Sequence, residues 1–310
     1  MPTASECSLA VLGSPIAHSQ SPALHRAAYR ALGLPWRYQA IELTARDLPR
    51  FVASRGSDWR GLSLTMPLKH SVIPLVASLD RMARLTGAAN TLYFDRPHGT
   101  GEAVLRGFNT DVAGMVRALH AAGVANAALV HILGSGATAA SAVAASAELG
   151  AERVVIWARN ADHAAPLTPL ATQLGLSLEI RRPDHSPAEP NADLVISTVP
   201  GGVDAGVDFP TELRSRAALL DVAYDPWPSL LARRWSGAGG RVVSGLAMLV
   251  HQALLQVRIF VSGDPLQPFN HDDDVLAAML AAVRLDAAGQ PVGEAERPRG
   301  GESARAVPQS

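Results

Sequence analysis

Six consecutive residues, Gly134-Ser135-Gly136-Ala137-Thr138-Ala139, limit what this chain can fold into more than any other stretch. They separate an apolar run, residues 128–133, from an alanine-rich run, residues 137–149. A strand, a glycine turn and a helix in that order form the G-x-G-x-x-G/A arrangement that binds dinucleotides. The first glycine permits a tight turn, and the second lets backbone approach a pyrophosphate. The small last residue permits close packing of helix on strand. The N–H groups of the helix start then face the phosphates. Such a unit is expected inside an α/β fold built on a parallel sheet.

The next apolar run, residues 153–158, ends at Trp157-Ala158-Arg159-Asn160. A carboxylate in that slot accepts from a ribose 2′-hydroxyl and repels a 2′-phosphate. Arg159 can instead pair with that phosphate and stack on adenine, so the expected cofactor is NADP. The plainer reading is a surface arginine at a strand end.

The remaining chain alternates strand and helix. Strands are expected at 7–13, 36–43, 61–65, 194–199 and 219–224. Helices are expected at 21–31, 46–54, from Pro67 onward, 111–122, 245–261 and 274–285. Residues 88–94 and 102–106 read as a strand pair around a turn at 98–101. A length of 310 residues suits two domains.

A net charge of −1 offers no broad steering toward nucleic acid or an anionic membrane, and neither is expected as a partner. A single cysteine, Cys7, excludes an intramolecular disulfide and fits a reducing, cytoplasmic compartment. No basic segment followed by an apolar run marks the start, so no signal peptide is expected. The apolar run 245–261 carries His251, Gln252, Gln256 and Arg258, which suits a buried helix rather than a membrane span. Residues 286–310 are rich in Gly, Pro, Ala, Glu and Arg and are expected to be disordered.

Polar residues at element ends supply candidate chemistry. Ser21-Pro22 reads as an N-cap and first helical residue. Ser19 and Ser21 could also hold an anion beside that helix start. Pro67 is expected at the first helical position, which puts Lys69 in a first turn. A cation there is unfavourable by about 0.3–1 kcal/mol, and local rule-breaking of this kind tends to mark function. Asp111 in a first turn needs no functional account by itself. Beside Lys69 it would orient the ammonium. Gly245, Met248 and Gln252 share a helix face, and a buried Gln252 needs a partner. His271-Asp272-Asp273-Asp274 precedes a helix, where carboxylates are favourable without a metal; no metal site is expected.

Seven segments in order resemble the shikimate dehydrogenase family: 13–25, 63–69, Ala88-Ala89-Asn90-Thr91, Asn109-Thr110-Asp111, 133–139, 221–226 and 245–252. The resemblance implies reduction of the 3-dehydroshikimate ring ketone to an alcohol with NADPH. It implies that Lys69 and Asp111 form the catalytic pair, with Lys69 as proton donor. Ser19, Ser21 and Tyr224 would meet the substrate carboxylate, and Thr65, Asn90 and Gln252, with the pair, the ring hydroxyls and carbonyl. Gly134, Ser135, Gly136, Ala137, Thr138, Ala139, Arg159 and Gly245 would hold NADP. It also implies an N-terminal α/β substrate domain (1–111) completed by C-terminal helices (245–285), with a Rossmann domain (112–244) inserted. A monomer or homodimer is expected.

The sequence also departs from the family pattern. Ser63 stands where asparagine is usual, Ala158 where asparagine is usual, and Pro228 where a threonine is expected near Pro226. The glycine turn reads Gly-Ser-Gly-Ala-Thr rather than Gly-Ala-Gly-Gly-Ala. Two alternatives stay open: a quinate/shikimate dehydrogenase preferring NAD, and a non-catalytic NADP-binding sensor.

Overall fold

The computed structural model describes residues 6–96, 102–183, 189 and 191–292. The turn expected at 98–101 and residues 293–310 of the expected tail lie outside the described residues.

The N-terminal part runs β1 (Ser8–Gly13), α1 (Ser21–Ala31), β2 (Arg37–Glu42), α2 (Leu48–Ala53), β3 (Trp59–Leu64), α3 (Leu68–Ser71), β4 (Ser78–Leu79), α4 (Arg81–Thr86), β5 (Thr91–Asp95) and β6 (Val104–Phe108). Its sheet has the order β2-β1-β3-β5-β6-β4. β1 pairs parallel with β2 and β3, whereas β5 pairs antiparallel with both β3 and β6, so the sheet is mixed.

The second part runs α5 (Asp111–Ala121), β7 (Leu129–Leu133), α6 (Ala137–Glu148), β8 (Arg153–Trp157), α7 (Ala161–Ala164), α8 (Leu167–Gln173), β9 (Ser177–Arg181), β10 (Leu194–Ser197), α9 (Thr211–Arg216), β11 (Ala218–Asp221), α10 (Leu230–Gly237) and β12 (Val242–Ser244). The chain then returns to the first sheet through α11 (Gly245–Ser262) and α12 (Asp272–Ala282). This second sheet is parallel throughout, in the order β12-β11-β10-β7-β8-β9. The protein is therefore two α/β units, one mixed and one Rossmann-like, joined by C-terminal helices.

Every residue of β7, β10 and β11 is buried, and those strands read as short continuous apolar runs, as strands covered on both faces must. The strand order reverses between β7 and β10, which opens a crevice at their carboxyl ends, the usual ligand position in such sheets.

Helix α11 links the two sheets. The Ser244 hydroxyl accepts from the Ala247 N–H at its start, and Gly263, with φ 80°, ends it. It is long and apolar enough to cross a membrane, but 72% of it is buried inside the fold, packed on α1, α5 and α12. A Cβ on Gly114 would lie 2.8 Å from the Gln252 Cβ, so a glycine is required for α5 and α11 to approach this closely. That approach brings the helix headed by Asp111 against the helix carrying Gln252.

Three local expectations need correction. Ser21 is the first residue of α1 rather than its cap; Gln20 takes the cap position, and the Ser19 hydroxyl accepts from the Ser21 N–H at 3.4 Å. Pro67 flanks α3 rather than opening it, and α3 is a single turn. Its dipole is correspondingly small, so the argument from helix start to Lys69 loses its basis. Residues 286–292 form an ordered turn: Leu285 bridges Pro291, and the Gln290 amide donates to the Val242 carbonyl at 3.2 Å. The buried Leu285 anchors this turn, a contact that composition alone does not register.

Candidate active site

Two loops of the first sheet meet at the crevice. The Thr65 N–H donates to the Leu12 carbonyl at 2.9 Å, and the Ser14 N–H to the Met66 carbonyl at 3.0 Å. A Cβ on Gly13 would fall 2.4 Å from the Thr65 methyl, so only glycine lets these loops lie together. Lys69 follows, its carbonyl accepting from the Ala89 N–H at 2.9 Å. Its position is thus set by the backbone of the segment before β5.

Lys69 Nζ lies 2.5 Å from Asp111 Oδ2, with the two side chains 12% and 1% exposed. An ion pair this buried is costly unless its remaining polar capacity is met. Here Asn90 Nδ2 donates to Asp111 Oδ1 at 2.8 Å, and the Asp111 N–H reaches Asn109 Oδ1 at 2.9 Å. Asp111 also opens α5, where negative charge is favourable. With a donor on each oxygen, the carboxylate is built to hold its neighbours in place.

The pair lies on the wall of a cavity of about 380 Å³ between the two sheets. The structure brings Ser19, Ser21, Thr65, Tyr224, Gly245 and Gln252 to the same cavity. Thr138, in the first turn of α6, lines it as well, so the start of that helix and the Lys69–Asp111 pair open on one space. Asn90 does not line it; at 1% exposure it stands behind Asp111. Among the described residues, Gln252 Oε1 is buried with no hydrogen-bond partner. A buried acceptor of this kind costs about 1–3 kcal/mol, and a donor from a bound molecule removes the cost. Burial pushes the Tyr224 phenol up, with hydrogen bonds to the Gln20 backbone and Ser19 hydroxyl acting against it. Tyr224 therefore reaches from the second unit to the two-serine loop of the first.

The dinucleotide turn has the required form. Gly134 has φ 108°, and a Cβ there would meet the Thr198 hydroxyl at 2.5 Å. At Gly136 a Cβ would point into open space, and no side chain caps α6. Ala139, fully buried, lets the helix sit on the sheet. Ser135 and Ala137 complete the turn, and Arg159 is exposed at the end of β8. These features fit a dinucleotide with its pyrophosphate on the α6 start. Gly134, Ser135, Gly136, Ala137, Ala139 and Arg159 lie outside the 380 Å³ cavity itself. A Cβ on Gly245 would be 1.9 Å from the Val222 carbonyl oxygen, so this glycine lets α11 start against the end of β11.

Other features of the site were not apparent in the sequence. Thr198, Pro200, Gly201 and Asp225 come to the cavity on loops after β10 and β11. His18 Nδ1 meets Asp225 Oδ2 at 3.0 Å across its mouth. Beneath it the Tyr38 hydroxyl donates to Ser63 Oγ at 2.6 Å, and Ser63 Oγ donates to Gln256 Oε1 at 2.8 Å. Ser63 thus joins a buried network with His25, which stacks on Tyr38 at 3.9 Å. Although Pro228 lacks a hydroxyl, Ser229 beside it caps α10 and donates to Asp221 Oδ2 at 2.5 Å. Among the described residues no group of three or more His, Cys, Asp or Glu side chains is arranged to hold a metal.

Known proteins resemble this chain in sequence and in fold. The family model for the shikimate dehydrogenase substrate binding domain matches residues 11–92. The shikimate dehydrogenase (NADP(+)) of Oleidesulfovibrio alaskensis is 34% identical over 280 residues, covering 88% of this chain and 95% of its own length. The crystal structure of Mycobacterium tuberculosis shikimate dehydrogenase superposes with a TM-score of 0.74 at 40% identity, covering 89% of this chain and 99% of that one. The Thermus thermophilus shikimate 5-dehydrogenase, solved in complex with NADP(H) and shikimate, gives 0.70 at 29% identity with 89% and 99% covered. With the buried Lys69–Asp111 pair sharing a cavity with Thr138 of α6, and relatives at this identity over nearly their whole length, the chain belongs to the NADP(+)-dependent shikimate dehydrogenase family of oxidoreductases.

Proposed function

We propose that this protein reduces 3-dehydroshikimate to shikimate with NADPH. The observation that carries the reading is the Lys69–Asp111 pair at 2.5 Å, on the wall of a cavity that Thr138 of the dinucleotide helix also lines. A cavity near 380 Å³ is of a size for one small ring. The ligands of the Thermus thermophilus relative support the same pair of molecules.

Bound NADPH supplies the reducing equivalent. Lys69 Nζ gives a proton to the ketone oxygen as charge builds there. Asp111 holds the ammonium in line, and Asn90 fixes Asp111 from behind. Ser19, Ser21 and Tyr224 bind the substrate carboxylate with neutral donors. Thr65 and Gln252 take ring hydroxyls, and Gln252 Oε1 gains the partner it lacks. The start of α6 takes the pyrophosphate, Gly245 gives room where α11 begins, and Arg159 takes the 2′-phosphate. Residues 1–111 and 245–285 act as the substrate domain and 112–244 as the cofactor domain. The reducing cytoplasm suits the single thiol of Cys7.

Ser63 favours one second reading. Its hydroxyl is already shared by Tyr38 and Gln256, which leaves a ring contact open for quinate as well as shikimate. One assay tests both readings: purified protein with shikimate or quinate and NADP+ or NAD+, followed by nicotinamide absorbance. Shikimate with NADP+ is expected to be the fastest pair. No turnover with any pair would leave a dinucleotide-binding sensor as the function.

A further inference from the structure

A continuous hydrogen-bonded chain runs from the dinucleotide helix to the catalytic pair. The Ser141 hydroxyl, one turn into α6, donates to the carbonyl of Ala137 at 3.4 Å, beside the glycine turn. The same oxygen accepts from Asn109 Nδ2 at 3.1 Å. Asn109 Nδ2 also donates to Thr86 Oγ1 at 2.9 Å, and Asn109 Oδ1 accepts from the Asp111 N–H at 2.9 Å. Asp111 Oδ2 then meets Lys69. Ser141 is fully buried, Asp111 is fully buried, and Asn109 is 4% exposed.

The direction of every bond in this chain is fixed. The Thr86 hydroxyl spends its proton on the Met82 carbonyl at 2.7 Å, and Ser141 spends its own on Ala137. Both hydroxyls must therefore accept from the amide nitrogen. The Asp111 N–H needs an acceptor, and among the described residues the amide oxygen supplies it. A flipped amide would set its NH2 group against the Asp111 N–H, and each hydroxyl could then donate to the amide oxygen only by giving up its helix carbonyl, so buried bonds are lost either way. Asn109 thus has one side-chain orientation. Its backbone is held too, because its N–H donates to Asp80 Oδ1 at 3.2 Å.

One amide therefore joins α4, α5 and α6, and only α6 belongs to the dinucleotide turn. We propose that Asn109 is a positioning residue: through Ser141 it makes the geometry of Asp111 and Lys69 depend on where the dinucleotide helix sits. The proposal rests on Lys69 and Asp111 being the catalytic pair. A small displacement of a reacting group is enough to lower turnover strongly, so a tether of this kind has a measurable consequence without touching substrate.

The test uses Ser141→Ala, which removes the tether to α6 and leaves the Asn109–Asp111 bond in place. Alanine suits a helix interior, so folding is preserved. We expect kcat with shikimate and NADP+ to fall about tenfold while both KM values stay within about twofold, as loss of positioning requires. In an Asn109→Ala background, Ser141→Ala should cause no further loss, because the serine acts only through the asparagine. Wild-type kcat in Ser141→Ala overturns the proposal, as do losses that multiply in the double variant. A merely structural role would lower the melting temperature and leave kcat per folded molecule unchanged. Should Asn109→Ala fail to fold, the single variant still decides. Lys69→Ala, run alongside, separates the two claims. Normal turnover there removes the catalytic pair itself, whereas an inactive Lys69→Ala beside a normal Ser141→Ala removes only the tether.

Discussion

Lys69 Nζ and Asp111 Oδ2 stand 2.5 Å apart, although forty-two positions separate the two residues in the chain. The lysine follows β3 and the aspartate opens α5, and Asn90 braces the carboxylate from behind. Asp111→Asn keeps the shape and removes the charge that holds the ammonium. We expect kcat to fall by about 10²–10³ with a smaller change in substrate KM. Steady-state kinetics at saturating cofactor checks this; unchanged kcat would mean that the carboxylate does not orient the lysine.

Arg159 is exposed just beyond the end of β8. Its guanidinium is free to meet a 2′-phosphate. Arg159→Ala should raise KM for NADPH by about tenfold or more and leave KM for NADH nearly unchanged, since a charge-assisted hydrogen bond to phosphate is worth about 1.5–3 kcal/mol. Equal effects on both cofactors would remove Arg159 from phosphate recognition.

Gln252 carries a buried acceptor that has no partner among the described residues. Replacing it with an apolar side chain of similar size relieves that penalty in the free protein. Gln252→Leu should hold or raise unfolding stability, by up to about 1 kcal/mol, while raising substrate KM at least about tenfold. Urea unfolding together with shikimate kinetics reads both effects. A large loss of stability with normal KM would make Gln252 a structural residue.

Burial lowers the His25 imidazole to about 3, against a hydrogen bond to Gln256 Oε1 that acts in the opposite direction. His131 and His251 are lowered to about 4, also by burial. All three fold as neutral rings. In the unfolded chain they titrate near 6.5. Their contribution is therefore complete above that pH and is lost as pH falls toward the folded values. Each histidine can remove up to about 1.4 kcal/mol per pH unit below the unfolded value. The urea midpoint should fall between pH 7 and pH 5 conditions, and His25→Gln should make that fall shallower. A slope unchanged in the variant would contradict the assignment to His25.

Long periodic elements were legible in the sequence because their signals are local. α1 begins at Ser21-Pro22, α5 stops before Gly123 with φ 81°, and α6 follows the glycine turn. The pieces not read are short or lie at a sheet edge. β4 has two residues, and α4 has six, although Asp80 caps α4 and Gly87 ends it with φ 62°. β9, at the sheet edge, has no fully buried residue and so lacks the apolar run of its neighbours. In the site, Lys69, Asp111, Ser19 and Gln252 stood out because each is polar at an element end or on an apolar helix face. Thr198, Gly201 and Asp225 did not, since their place depends on which strands become neighbours. The resemblance sets Asn90 against the substrate ring, whereas the structure seats it behind the carboxylate, a depth that local sequence does not encode.

The most direct test of the account is turnover by Lys69→Ala, measured with shikimate and NADP+ at saturation. Proton transfer by the Lys69 ammonium predicts a kcat lower by about 10²–10⁴, with substrate binding nearly retained. A variant that turns over at close to the wild-type rate would show that the ketone oxygen receives its proton from elsewhere.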